Sequence, residues 1–420
     1  MHLTNSRLFL FLTLLVVQSA AGDDWTQFRG PGGLGRSTAK GLPVNWSSTE
    51  NIVWRTKLPG PGTSSPIVLG ERVYLTCYAG YGLVPNEGDM KNLRRLVVCL
   101  DRETGDLLWE RHFEPVLPES RYRGGNSSWH GYASSTPTTD GERLYVFFGK
   151  SGVYALDLNG KERWNKRVGS GTDSWGSANS PILYRDLVIV NASVESNSLV
   201  AFKKATGDEV WRAGNIHRSW NTPVLVDVPG KDTELVVCDE ENVLGFDPAT
   251  GEELWRVTGF GRYVCPSVVA NDGIVYVVRN EALAIRAGGR GDVTETHVLW
   301  RARGRSVVPS PVFHAGHIYW IPGARSMAYC LDATSGDTVY QERLSPQSGG
   351  KIYASVLAAD DKLYCVTQHD GIYVLAANPQ FEQLAHNVFA DDNSRTNASP
   401  IAVDGKIFLR TDRFLYCIGE

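Results

Sequence analysis

The stretch Leu244-Gly245-Phe246-Asp247-Pro248-Ala249-Thr250-Gly251-Glu252-Glu253-Leu254-Trp255 decides the fold. It reads as a short strand, a turn from Asp247 to Gly251, and a second strand opening on a large aromatic. An Asp at the head of such a turn can bond its own backbone, and a Gly serves where φ must be positive. The unit recurs. Cys99-Leu100-Asp101 leads through Thr104-Gly105 to Trp109, and Ala155-Leu156-Asp157 through Gly160 to Trp164. Ala201-Phe202 leads through Thr206-Gly207 to Trp211, and Cys330-Leu331-Asp332 through Gly336 to Tyr340.

Further out from the hairpin, a Ser/Thr/Cys-Pro step opens an apolar strand in each repeat. The markers are Pro66, Pro137, Pro181, Pro223, Pro266, Pro311 and Pro400, with Val356 in the remaining slot; Cys265 replaces the Ser or Thr. A period in the low forties with four strands each is the signature of a β-propeller. The eighth unit, from Ser399, has three strands, while Ile52-Val53-Trp54-Arg55 stands alone with no hairpin before it. Pairing those two pieces completes the last blade and closes the ring without a terminal edge. The expected architecture is an all-β, eight-bladed propeller of four-stranded antiparallel blades over residues 51–420. Its first repeat carries two loop insertions, about 79–95 and 112–129. An irregular arm, residues 23–50, precedes it, pinned by Trp25, Phe28 and Trp46.

Composition agrees. A hydrophobic content of 42% is ample for a core, and a net charge of -4 gives no reason to expect nucleic-acid or membrane-surface binding. The 12 Trp find their use in packing, since burying an indole removes about 150–250 Å² from water, roughly 4–6 kcal/mol gross. Residues 1–22 read as a secretory signal: Arg7, the apolar run Leu8 to Val17, then Ser19-Ala20-Ala21-Gly22. That run is too short to span a bilayer, no later run is apolar enough, and no Cys near the cut would take a lipid. The expectation is an exported protein, periplasmic or extracellular. Seven Cys in an exported chain would ordinarily suggest disulfides. Here Cys99, Cys330 and Cys417 occupy a slot filled elsewhere by Ala155, Ala201 or Gly245, so free, packed thiols are expected. Cys77–Cys99 is the pair best placed for an exception.

The unit Ser-Pro-Ile-Val, Val-Tyr, Ala-Leu-Asp, Thr-Gly-Glu, Leu-Trp resembles the tryptophan-docking repeat of pyrroloquinoline quinone (PQQ)-type propellers. That superfamily includes quinoprotein alcohol dehydrogenases and the outer-membrane assembly lipoprotein BamB. The opening Trp25 to Pro31 with Ser64-Ser65-Pro66-Ile67-Val68 is similar to exported PQQ-like repeat proteins of planctomycete-type bacteria. The dehydrogenase resemblance would imply a quinone stacked in the central funnel, Ca²⁺ held by acidic and amide side chains, and an Asp base. This sequence has no Cys-Cys pair, no Cys-x-x-Cys-His and no recognisable acid cluster, so no cofactor is assigned, and PQQ stands as the alternative.

Loops leading into the first strands ring one mouth of a propeller's channel. They hold Trp129, His130 and Tyr132, then Trp175, then Arg218 and Trp220, then Arg262 and Tyr263. Arg305, Lys351 and Tyr353, and Arg395 and Asn397 follow. Converging cations beside aromatics suit a carboxylate, phosphate or sulfate on a sugar or other flat body. The same residues can equally line and plug the channel. No nucleophile–base set and no metal set is recognisable, and His314 and His317 read as surface residues. Three functions stay open: a protein-interaction scaffold, a binder of an anionic or saccharide small molecule, and a quinoprotein oxidoreductase.

Overall fold

The computed structural model describes residues 24–84, 87–122, 130–259, 261, 264–323, 326–347 and 351–420. Residues 1–22, with the expected signal, lie outside that set. Eight antiparallel sheets follow one another around a channel. Blade 1 is Ile67–Leu69, Arg72–Ala79, Arg94–Asp101 and Leu107–Phe113. Blades 2 to 7 span 138–166, 182–213, 224–257, 269–302, 312–343 and 357–387. Blade 8 pairs Ile401–Val403, Lys406–Arg410 and Phe414–Ile418 with the early strand Ile52–Lys57, and Trp54 stands opposite Cys417. Helix among the described residues is confined to short turns such as Ser193–Ser196 and Thr294–His297. None is long and apolar enough to cross a membrane.

The hairpin repeat works as a docking joint. In the turn, Gly251 N–H donates to Asp247 O at 2.8 Å and Ala249 N–H to Asp247 Oδ1 at 2.7 Å. Gly251 has φ of 74°, and a Cβ there would sit 2.5 Å from the ring of Trp211, which belongs to the previous blade. Only glycine meets both demands. Gly105, Gly160, Gly207 and Gly336 receive Trp54, Trp109, Trp164 and Trp300 in the same way. Each indole then donates to a carbonyl of the turn: Trp54 to Arg102, Trp109 to Leu158, Trp164 to Lys204, Trp211 to Pro248 and Trp300 to Ala333, at 2.9–3.2 Å. The docked ring lies across the residue facing it in its own blade, which is why Cys99, Ala155, Ala201, Gly245, Ala284, Cys330 and Cys417 are small.

All seven thiols are free. Cys77 faces Leu96 and Cys99 faces Tyr74 across the strand pair, so the register keeps them apart and no bridge forms.

A second joint runs around the channel wall. Ser65 N–H donates to Thr136 Oγ1, Thr136 N–H to Ser180 Oγ, and Ser180 N–H to Thr222 Oγ1, at 2.9–3.0 Å. The belt continues from Thr222 to Ser267, Ser310, Ser355 and Ser399, again at 2.9–3.0 Å. Blade 5 corrects the sequence alignment: the hydroxyl in register is Ser267, not Cys265, and Val268 rather than Pro266 opens the strand. The eighth link is replaced. Ser65 Oγ is buried without a partner. Across that seam Arg410 of blade 8 reaches into blade 1, donating to Ser64 Oγ at 2.8 Å, Thr76 O at 2.6 Å and Cys77 Sγ at 3.3 Å.

The arm crosses the channel at the far ends of the innermost strands. Trp25 exchanges backbone bonds with Val68 of blade 1, and Thr26 O accepts from Thr139 N of blade 2. Arg29 donates to Pro311 O of blade 6, and Arg36–Ser37 pairs in parallel with Ala358–Ala359 of blade 7. Trp46 N–H then donates to Asn387 Oδ1 at 3.0 Å, and its ring packs near Tyr364.

Replacing Trp54 by Ala should cost about 3–5 kcal/mol of unfolding free energy, since it empties the joint that closes the ring. Leu108→Ala, on the exposed outer strand, should stay within about 0.5 kcal/mol. Denaturant titration measures both. Thiol titration should count seven groups after unfolding without reductant.

Candidate functional site

The belt decides what faces the channel. Side chains alternate along extended backbone, so the residue two before each belt hydroxyl points the same way as the hydroxyl. Those residues are Thr63, Ser134, Ala178, Trp220, Cys265, Val308, Tyr353 and Asn397, and all of them line one cavity of about 630 Å³. The residues between, such as Ala354 and Ala398, are buried between blades. Phe28 of the arm forms the cavity's floor. The mouth is made by the more exposed lining residues Trp175, Arg305 and Lys351, while His130 lines the cavity with its ring nitrogens buried. The wall is uneven: blades 4 to 7 supply Trp220, Cys265, Val308 and Tyr353, while blades 8, 1, 2 and 3 supply the smaller Asn397, Thr63, Ser134 and Ala178. The space is an off-centre funnel with an aromatic, apolar side and a polar side.

Of the residues singled out in the sequence, His130, Trp175, Trp220, Arg305, Lys351, Tyr353 and Asn397 come together in this funnel. Trp129, Arg262 and Tyr263 lie outside the described residues. Three others are placed elsewhere. Tyr132 packs on Tyr78, Tyr81 and Tyr122 beneath the blade-1 insertions and donates to Ser120 O at 2.8 Å. Arg218 faces Glu240 at 3.9 Å, and Arg395 is paired with Asp412 at 2.9 Å. Pattern reading placed Phe28 only in the arm and the belt Ser and Thr only as strand openers, and it passed over Arg279. The last is buried in the wall and donates to Glu240 O at 3.1 Å and to Gly261 O.

His130 sits edge-on to Tyr122, 5.0 Å between ring centres, and 6.1 Å from Trp175. Both of its ring nitrogens are buried without a partner among the described residues, and burial pushes its pKa down to about 4. It is a neutral imidazole at neutral pH. Trp220 Nε1 donates to Gly176 O at 2.8 Å, which ties the loop carrying Trp175 to blade 4. Behind that loop, Ser177 Oγ donates to Glu195, a buried carboxyl pushed up to about 7 by desolvation. Arg95, Glu119 and Lys150 surround the same small pocket, with Arg95 and Glu119 paired at 2.7 Å.

No Asp or Glu lines the funnel among the described residues. Nor does the sequence place one at 123–129, 260, 262–263, 324–325 or 348–350. Calcium takes oxygen ligands, carboxylates foremost. The donor set therefore does not fit a metal-assisted quinone, and no group of three His, Cys, Asp or Glu elsewhere among the described residues could hold a metal.

A sequence-family model described as outer membrane protein assembly factor BamB matches residues 90–214, 195–312 and 241–414. The chain belongs to the BamB family of PQQ-like propellers. No curated protein matches this family member. Among solved structures, BamB from Moraxella catarrhalis superposes with a TM-score of 0.58 at 11% identity, covering 88% of this chain and 99% of that one. A europium-containing methanol dehydrogenase gives 0.68 at 11% identity, covering 96% and 99%. A quinohemoprotein alcohol dehydrogenase from Comamonas testosteroni gives 0.63 at 12%, covering 94% and 81%. At such identities the likeness is one of fold.

The two buried titrating groups give opposite slopes. Glu195, raised from 4.5 to about 7, contributes stability that is complete below pH 4.5 and lost as pH rises through 7. His130, lowered from 6.5 to about 4, contributes stability present above pH 6.5 and lost as pH falls through 4. Each is worth about 3 kcal/mol over its window. Relative to the parent chain, Glu195→Gln should gain stability from pH 4.5 to 7, and His130→Asn should gain it from pH 6.5 down to 4. Calorimetry across that range checks both; a pH-independent difference would contradict the placement of either group.

Proposed function

We propose that the protein is an exported binding module that holds an anionic small molecule in the funnel. One observation carries the reading: a cavity large enough for a ligand has cations at its mouth, aromatic rings on one side and no carboxylate in its described lining. Arg305 and Lys351 lie on neighbouring blades at the rim. In a partly desolvated mouth such charges attract an anion more strongly than they would in open solvent. Trp175, Trp220 and Tyr353 offer faces for a flat or sugar-like body. Arg218 and Arg395, held by Glu240 and Asp412, act as braces of the mouth rather than as ligand contacts. The signal-like pattern of residues 1–22 supports export, and the ligand would then be met outside the cytoplasm.

Binding does not require chemistry at this site. Among the described residues His130 has no carboxylate partner to orient it, and burial holds Cys265 up to about 12, far from a reactive thiolate. A scaffold role in the manner of the BamB name remains compatible with the blade-1 insertions, where Leu83, Val84 and Leu117 are exposed.

Thermal-shift measurements against sulfated, phosphorylated and carboxylated small molecules test the reading. A binding anion should raise the melting temperature, and Arg305→Ala combined with Lys351→Ala should weaken it about tenfold or more. Arg218→Ala should change affinity far less. PQQ with Ca²⁺ should leave absorbance and melting temperature unchanged; a stoichiometric shift would overturn the binding-only reading in favour of the oxidoreductase.

A further inference from the structure

The belt hydroxyls have a second use. Thr222, Ser267, Ser310, Ser355 and Ser399 line the funnel as an arc contributed by five successive blades. Each accepts a backbone N–H from the preceding blade, at 2.9–3.0 Å. A hydroxyl that accepts from the main chain still has its own proton to donate, and none of these five donates to an acceptor among the described residues. The arc is thus a row of O–H donors held in place by the fold. Acceptors on that side are few: Asn397 Oδ1 already takes Gln368 Nε2 at 2.8 Å, the described lining has no carboxylate, and the amide of Asn280 is the other side-chain carbonyl there. The opposite wall has the reverse character. Thr63 and Ser134 donate their protons to His130 O, at 3.3 and 2.8 Å, which leaves their oxygens free to accept.

Resting on the funnel as the ligand site, we propose that its occupant is a sugar-sized, hydroxylated ring bearing a sulfate or phosphate ester, and that the belt arc is what selects the ester. A lining of donors rewards a ligand rich in acceptor oxygens, and a tetrahedral ester presents three of them at one point. Charged acceptors gain about twice as much from each hydrogen bond as neutral ones. The ring's hydroxyls meet Thr63 and Ser134, and its apolar face lies on Trp220 and Tyr353. A plain sugar lacks the acceptors for the arc, and an apolar acid lacks the hydroxyls for the opposite wall. Sulfate and phosphate esters share the chemistry that the arc reads; their charge separates them in the test.

Isothermal titration of the full chain with glucose 6-sulfate, glucose 6-phosphate, glucose, inorganic sulfate and indole-3-acetate tests this. One or both esters should bind at least about tenfold more tightly than glucose, inorganic sulfate or indole-3-acetate. Ser310→Ala with Ser355→Ala should remove most of that preference, and Ser310→Thr should keep it, since Thr222 occupies the equivalent position in blade 4. Ser180→Ala is the control. It deletes the same type of belt bond, to Thr136 N–H, at a place that does not line the funnel, so it should leave affinity within about twofold. Equal losses in the Ser180 and the Ser310/Ser355 variants, or indole-3-acetate binding as tightly as the esters, would overturn the assignment. Tight indole-3-acetate binding that is lost with Arg305→Ala and Lys351→Ala would leave the anion funnel standing without the ester; no anion binding at all would remove both.

Discussion

A hydroxyl on one blade accepting the main-chain N–H of the blade before it is the contact on which the rest depends. It recurs from Ser65 through Ser399 at spacings of 71, 44, 42, 45, 43, 45 and 44 residues. Each bond fixes one innermost strand against its neighbour at a single residue. Because a strand has a period of two, that one contact also fixes which side chains face the channel and which are caught between blades. The funnel's lining is therefore a consequence of the same bonds that hold the ring together. Docked indoles provide the matching joint at the outer edge, so a blade is held at both ends.

The departures from the repeat show how a joint is kept when its usual parts change. Blade 5 offers no turn carbonyl to Trp255 of blade 4; the indole donates instead to Glu234 of its own blade at 2.7 Å, and the same carboxylate accepts Gly288 N–H and faces Arg290. In blade 7 the sizes are exchanged: Ala385 stands where others have an aromatic, opposite Val374 rather than a smaller residue. Trp46 of the arm packs into the core shared by blades 7, 8 and 1, which gives the arm a structural reason to be there. At the seam between blades 8 and 1, the belt bond is missing and Arg410 bonds across instead. The arm also floors the channel through Phe28, which turns a hole through the ring into a funnel.

Much of this was legible from residues alone, because the repeat couples local turn chemistry to global closure. The Asp-to-Gly turn, the small slot facing each aromatic and the stray Trp54 strand suffice for blade number and ring closure. Proline was the less reliable guide. It marks extended backbone, and at Pro266 it sits two residues early, so that Cys265 passes for the belt residue in place of Ser267. The belt hydroxyl itself carries the register, and counting two residues back from it would have found the lining, Thr63 to Asn397. What sequence could not give is the fate of the rim cations. Glu240 and Asp412 come from hairpins on the same blades, distant in sequence from Arg218 and Arg395, and only the fold brings them within reach. Tyr132 was misleading for a similar reason. Its neighbours Tyr78, Tyr81 and Tyr122 come from the two insertions and the strand beside them, and they draw it away from the channel.

The belt's register can be read directly with a charged methanethiosulfonate reagent on two conservative variants, made in a chain whose Cys265 is replaced by Ser. Ala178→Cys places a thiol two residues before Ser180, on the funnel wall; Ala398→Cys places one immediately before Ser399, between blades. The register described predicts rapid native-state labelling of the first and labelling of the second only on unfolding. Equal rates at the two positions, or the reverse order, would contradict it.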